Sequence, residues 1–205
     1  MRRTVLVLSA AALALTACST PTTNGTSTPT SGGTNPSPSK STSPAPEVPK
    51  VNKPIDLAQI KQAPCNALTE AQAKELLGPT TETAGQPDGA AGPACRWSVP
   101  STTRPRVNVI FSKTPDGGTA SVYKAKGGAY EFVEPLEPID GYPLTAYGAK
   151  DERPSGKCSV ALGASDTETI DIALELSEAN IGKKEPCAIA REAAIRVLAT
   201  VRGGN

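Results

Sequence analysis

Cysteine is the residue type with the most chemistry to offer in this chain. It stands at positions 18, 65, 95, 158 and 187, and histidine is absent altogether. Without an imidazole, neither a Ser-His-Asp nor a Cys-His site can be assembled from the chain itself. A zinc site would have to be built from thiols, and no CxxC spacing occurs. Ala164-Ser165-Asp166 lacks the flanking glycines of a nucleophile elbow. Gly117-Gly118 and Gly127-Gly128 lack the Lys-Ser/Thr that a phosphate loop needs. No EF-hand spacing is present. Carboxylates adjoin at Asp151/Glu152 and Asp166/Glu168, but each pair lies in a polar, turn-like stretch where solvation is the default. The expectation is a protein that is not an enzyme, with no cofactor and no metal.

Cys18 stands apart from the other four thiols. Arg2 and Arg3 precede an apolar run of twelve residues, TVLVLSAAALAL, which ends in Leu15-Thr16-Ala17-Cys18. A charged start followed by a short apolar core has the form of a signal peptide, and the run is too short for a permanent membrane span. Small residues before a cysteine resemble the lipobox of bacterial lipoproteins, in which the thiol receives a diacylglyceryl group. Each buried methylene contributes about 0.8 kcal/mol, so two or three acyl chains would hold where one would be marginal. Residues 1–17 are therefore expected to be a leader, and Cys18 a lipid anchor placing the chain on the outer face of a cell membrane.

Residues 19–49 follow, and 27 of the 31 are Ser, Thr, Pro, Gly or Asn. Such a stretch has too little apolar surface to offset the entropy of ordering, and proline biases it toward extended forms. As a coil it would reach about 30 Å. Residues 18–54 are thus expected to be the lipidated cysteine and a tether, and residues 55–205 one extracytoplasmic domain. Loss of Arg2 and Arg3 with the leader leaves 19 basic and 20 acidic residues. No basic stripe points to nucleic acid, and a monomer is expected.

The remaining four cysteines, an even number in an exported domain, imply disulfides. Three pairings are open. Position favours Cys65–Cys95 and Cys158–Cys187, each closing a loop of about 30 residues and contributing roughly 3–4 kcal/mol by the chain-entropy model. The elements agree. Thr69 and Gln72 form a capping box for a helix that begins just after Cys65 and stops at Gly78. Alternation places Cys95, Trp97 and Val99 on one strand face, and Val107, Val109 and Phe111 on the next. A turn at 114–118, a short helix over 120–126 and a Pro/Gly-rich loop over 134–143 follow. Cys158, Val160 and Leu162 alternate, as do Ile170, Ile172, Leu174 and Leu176, with Thr169, Asp171 and Glu175 outward; a hairpin at 163–167 joins the two runs. Pro186 opens a last helix whose Cys187, Ala190, Ala194, Val197, Leu198 and Val201 share a face. The fold class is α+β: a single domain in which an antiparallel sheet packs against an N-terminal and a C-terminal helix, with two disulfides.

Only seven residues are aromatic. Trp97 lies next but one to Cys95, a position suited to core packing. Tyr123, Tyr130, Tyr142, Tyr147 and Phe132 gather around the Pro/Gly-rich middle. That segment would either line a ligand cleft, with Trp97, Tyr130, Phe132, Tyr142 and Tyr147 as its walls, or cap a small core.

Several segments in this order carry a family resemblance: Pro64-Cys65-Asn66-Ala67-Leu68-Thr69 with Leu76-Leu77-Gly78, Cys95-Arg96-Trp97, Ile139-Asp140-Gly141-Tyr142-Pro143, Cys158-Ser159-Val160-Ala161-Leu162 and Pro186-Cys187-Ala188-Ile189-Ala190. In them the chain resembles the actinobacterial lipoprotein family carrying the domain of unknown function numbered 3558. The resemblance implies an actinobacterial envelope, a lipid anchor, two disulfides and no established biochemical activity. The expected function is a membrane-anchored, non-catalytic binding or interaction domain, whose partner would be an envelope lipid or a protein. The alternatives are a purely structural accessory protein and a hydrolase without recognisable motifs.

Overall fold

The capping box at Thr69 is formed as the sequence predicts. The Thr69 hydroxyl accepts from the Gln72 N–H at 3.2 Å, and the Gln72 side chain accepts from the Thr69 N–H at 2.8 Å. This is seen in a computed structural model that describes residues 48–100, 102–112 and 117–203. The expected leader, Cys18, the tether as far as residue 47 and most of the expected turn at 114–118 lie outside the described residues.

In chain order the elements are α1 (Ala58–Gln62), a 3-10 turn (Pro64–Ala67), α2 (Glu70–Leu77), β1 (Glu82–Gln86), β2 (Ala94–Ser98) and β3 (Arg106–Phe111). Then come α3 (Gly118–Lys124), β4 (Phe132–Ile139), β5 (Tyr142–Gly148), β6 (Lys157–Gly163), β7 (Thr169–Glu175) and α4 (Pro186–Val201). The seven strands form one antiparallel sheet in the order β1-β2-β3-β7-β6-β5-β4. Two meanders meet at the centre, where β3 pairs with β7. Helix α3 carries the chain from the central strand β3 to the far edge.

One face of the sheet holds the main core. Val107, Val109, Phe111, Val160, Leu162, Ile170 and Ile172 are fully buried on it. Burial of each such side chain is worth about 1.5–3 kcal/mol. Helix α4 covers β6 and β7 on this face with Ala190, Ala193, Ala194, Val197 and Leu198, and α2 packs on α4. Pro186 occupies the first turn of α4, and the Glu185 carboxylate caps it by accepting from the Ala188 N–H at 2.5 Å. Both disulfides are formed as expected. Cys65–Cys95 ties the 3-10 turn to β2, with Cα atoms 5.0 Å apart. Cys158–Cys187 ties β6 to α4 at 5.1 Å. The α+β class and the helix-on-sheet arrangement are those expected.

Three features depart from the sequence reading. The expected loop over 134–143 is a hairpin, β4–β5. Its two-residue turn, Asp140-Gly141, has positive φ at both positions, 51° and 82°, the conformation a tight hairpin demands. Pro135 and Pro138, which argue for a loop, are tolerated because β4 is an edge strand, with β5 as its sole ladder partner. Strand β1 was not foreseen; its sequence, ETAGQ, has no apolar alternation, and it forms the opposite edge. The folded region also begins before residue 55. Val51 is 6% exposed, and its N–H donates to the Asp166 side chain at 2.9 Å.

Candidate functional site

The second face of the sheet is covered too, and a pocket lies there. Residue alternation turns Ile110 of β3, Asp171 of β7, Ala161 of β6 and Thr145 of β5 toward this face in one register row. Helix α3 lies across β5 and β6, and its Val122 packs with Val133 and Ala161 in a small second cluster. Tyr123, Tyr130 and Tyr147 border that cluster. Beside it, between α3 and the sheet, a cavity of about 560 Å³ opens to solvent. Ile110, Ser112, Ser121, Tyr130, Tyr147 and Asp171 are among its walls.

Asp171 is the chemically distinctive group in this pocket. Burial pushes its carboxyl up to about 6, against the opposing pull of hydrogen bonds from Ser112, Tyr147 and Thr169. Burial, and then the neighbouring Asp171 charge, raise Tyr147 well above the ordinary phenol range; Tyr130 is raised for the same two reasons. The two rings meet at a centroid distance of 4.9 Å and a tilt of 58°. Tyr147 reaches Asp171 across β6, where Ala161 leaves room. A concave site with a few convergent polar groups and a perturbed carboxylate is the kind of place where ligands bind.

A larger hollow of about 1000 Å³ runs between α1, α2, β1 and the end of α4, past Cys65 and Trp97. Its carboxylates, Asp56 and Glu70, are exposed. Neither carboxylate is drawn out of water.

The five aromatic residues expected to wall one cleft do not share a cleft. Trp97 and Tyr142 are buried in the main core, and Phe132 packs at its margin. Tyr130 and Tyr147 lie on the opposite face. The cause is strand parity: in β5, Tyr142, Leu144 and Ala146 point to the main core, whereas Thr145 and Tyr147 point away. The Arg153 guanidinium lies 4.3 Å from the Phe132 ring centroid, and Arg202 lies 5.7 Å from that of Tyr142.

The carboxylate pairs singled out in the sequence are engaged elsewhere. Asp151 pairs with Arg153 at 2.7 Å, and Glu152 with Lys157 at 2.9 Å. Asp166 holds Val51, and Glu168 pairs with Lys61. Alternation places Asp171 and Thr169 on the outward face, and α3 covers part of that face. A signal was present in Val160-Ala161-Leu162-Gly163, which reads apolar at consecutive positions as a strand covered on both sides does. Ala161 is fully buried.

No curated protein and no solved structure matches the chain. The family model described as "Protein of unknown function (DUF3558)" matches residues 13–200, and the chain belongs to that family.

Proposed function

We propose that this protein is a lipid-anchored, extracytoplasmic binding protein, non-catalytic, whose ligand enters the pocket between α3 and the sheet. The anchor rests on the leader pattern and Cys18. Export is supported by two disulfides, which persist in oxidising compartments. The binding role rests on one observation: a preformed cavity that holds a half-buried carboxylate beside two tyrosines. The same pocket argues for binding over catalysis. The hydroxyls of Ser112, Tyr147 and Thr169 surround Asp171, and the chain contains no histidine to act beside it. A purely structural role would leave such a pocket without purpose.

The test is ligand capture by the whole protein from cell-envelope extract, read by native mass spectrometry and thermal shift. A variant, Ala125→Trp, fills the pocket from the C-terminal end of α3. Capture by the natural chain and loss in the variant support the reading. Identical behaviour of the two across all fractions sinks it.

A further inference from the structure

The pocket also carries information about the class of its ligand, on the premise that it is the binding site argued above. Asp171 sits at the centre of the sheet on β7, paired with Ile110 on one side and Ala161 on the other. The polar groups that hold its titration down, Ser112, Tyr147 and Thr169, are all neutral hydroxyls. Among the described residues no lysine or arginine forms an ion pair with it, although eleven such contacts occur elsewhere. Hydroxyl donors orient a carboxylate without cancelling its charge. A partly dehydrated anion without a counter-charge is unfavourable, and a bound cation relieves that cost. The rings of Tyr130 and Tyr147 line the same space. Aromatic faces attract ammonium and guanidinium groups electrostatically, more strongly where water is excluded.

We propose that this pocket takes the cationic head of an organic amine, with Asp171 as its counter-charge and Tyr130 and Tyr147 as its aromatic walls. Ile110, Val122 and Ala125 give the apolar surface that would receive the carbon skeleton next to the charge. A volume of about 560 Å³ suits a small molecule or the end group of a larger one. Anionic ligands would meet the carboxylate at close range.

The proposal is tested by calorimetric titration of the whole protein with four probes. Two are cations, 2-phenylethylamine and benzyltrimethylammonium. One is neutral, 2-phenylethanol, and one is an anion, 3-phenylpropionate. At pH 7.5 the cations should bind at least tenfold more tightly than the alcohol. Asp171→Asn should erase that preference, bringing both cations to within about threefold of the alcohol. Ala125→Trp should abolish all binding.

A pH series guards against a variant that folds poorly. Cation affinity should fall between pH 7.5 and pH 5 as Asp171 takes up a proton. Of the groups facing Asp171, Tyr147 of β5 and Tyr130 before β4 stay neutral through this range. Ile110 of β3, Ser112 just after it, Ala161 of β6, Thr169 of β7 and Ser121 and Val122 of α3 do not titrate there.

Equal affinity for the amine and the alcohol, or tighter binding of the anion, overturns the cation assignment and leaves the pocket reading standing. Cation binding that survives Ala125→Trp places the site elsewhere and overturns it as well. Absence of binding by all four probes overturns the cation assignment; only a failed extract capture would remove the pocket reading too.

Discussion

The hydroxyl of Tyr147 and the carboxylate of Asp171 face each other across strand β6, and each shifts the titration of the other. The contact joins β5 to β7, which share no ladder, and it passes over Ala161 and Ser159, the small residues that β6 turns to this face. It is therefore both a strut of the second sheet face and a wall of the pocket. Its strength depends on the charge of Asp171, because a hydroxyl bonds an ionised acceptor about twice as strongly as a neutral one.

Tyr147→Phe should accordingly destabilise the protein in a pH-dependent way. Above pH 7, where Asp171 is ionised, loss of this donor should cost about 1–3 kcal/mol. At pH 4.5, where the folded-state carboxyl is largely protonated, the cost should shrink to that of a neutral hydrogen bond, about 1 kcal/mol or less. Urea denaturation of both proteins at the two pH values checks this. A loss of equal size at both would mean that the Asp171 charge is not the acceptor that matters.

Asp171 also makes a signed prediction about the natural chain. Its folded-state pKa, about 6, lies above the ordinary carboxylate value of 3.8. Between these values the folded protein holds a proton that the unfolded chain has released. This contribution is therefore fully present below pH 4 and is lost as pH rises through 6. The loss should be on the order of 2 kcal/mol. Asp171→Asn removes the titration. Stability of the variant relative to the natural chain should thus improve by that amount from pH 4 to pH 7.5. Comparing the two removes contributions of opposite sign from Glu70 and Asp151, whose pKa values their basic partners lower. A difference that is flat with pH would refute the assignment.

Local signals and strand parity were legible in the sequence; edges and covering elements were not. The capping box at Thr69 and the Pro186 start of α4 depend on a few neighbouring residues, and both formed as read. The pairing of Cys158 with Cys187 followed from two apolar faces that had to meet. The hairpin at Asp140-Gly141 carried its own strong local sign, yet Pro135 and Pro138 outweighed it. Those prolines are compatible with a strand solely because β4 is an edge, a property of the whole sheet. Asp171 fell on the correct face by alternation. That the face is covered depends on the path of α3 from β3 to β4, which periodicity does not encode. The pocket arises from that path, and so the aromatic set proposed from composition mixed two faces.

The two disulfides should differ in how readily they are reduced. Cys158 and Cys187 are each 5% exposed, under α4 and in the main core. Cys65 lies partly open on the rim of the wide trough beside Trp97, although Cys95 is buried. Attack by a thiolate needs access to sulfur, so mild reductant should open Cys65–Cys95 first under native conditions. The loops are similar, with sequence separations of 30 and 29, so chain entropy favours neither. Double Cys→Ala replacement of either pair should cost about 3–4 kcal/mol on that account. Differential alkylation with mass mapping after timed reduction reads the order. Release of Cys158 and Cys187 first would show that α4 opens more easily than the 3-10 turn at Pro64.

Cys18→Ala tests the proposed anchor without disturbing the fold. Residue 18 lies far along the chain from Val51, the first residue seen packed into the core, and about thirty residues rich in Ser, Thr and Pro separate them. Substitution should leave the thermal midpoint of the domain within about 1 °C, since residue 18 stands more than thirty positions before the first core residue seen in the chain. Its effect should appear in location and processing. Without the thiol no diacylglyceryl group can be attached. The protein should then either accumulate with its leader uncut or leave the membrane fraction, because no other stretch approaches the length of apolar residues that a span requires. Fractionation and intact-mass measurement separate these outcomes. A variant that stays membrane-bound, cut at the same bond and carrying the same added mass would show that lipid is not attached through Cys18.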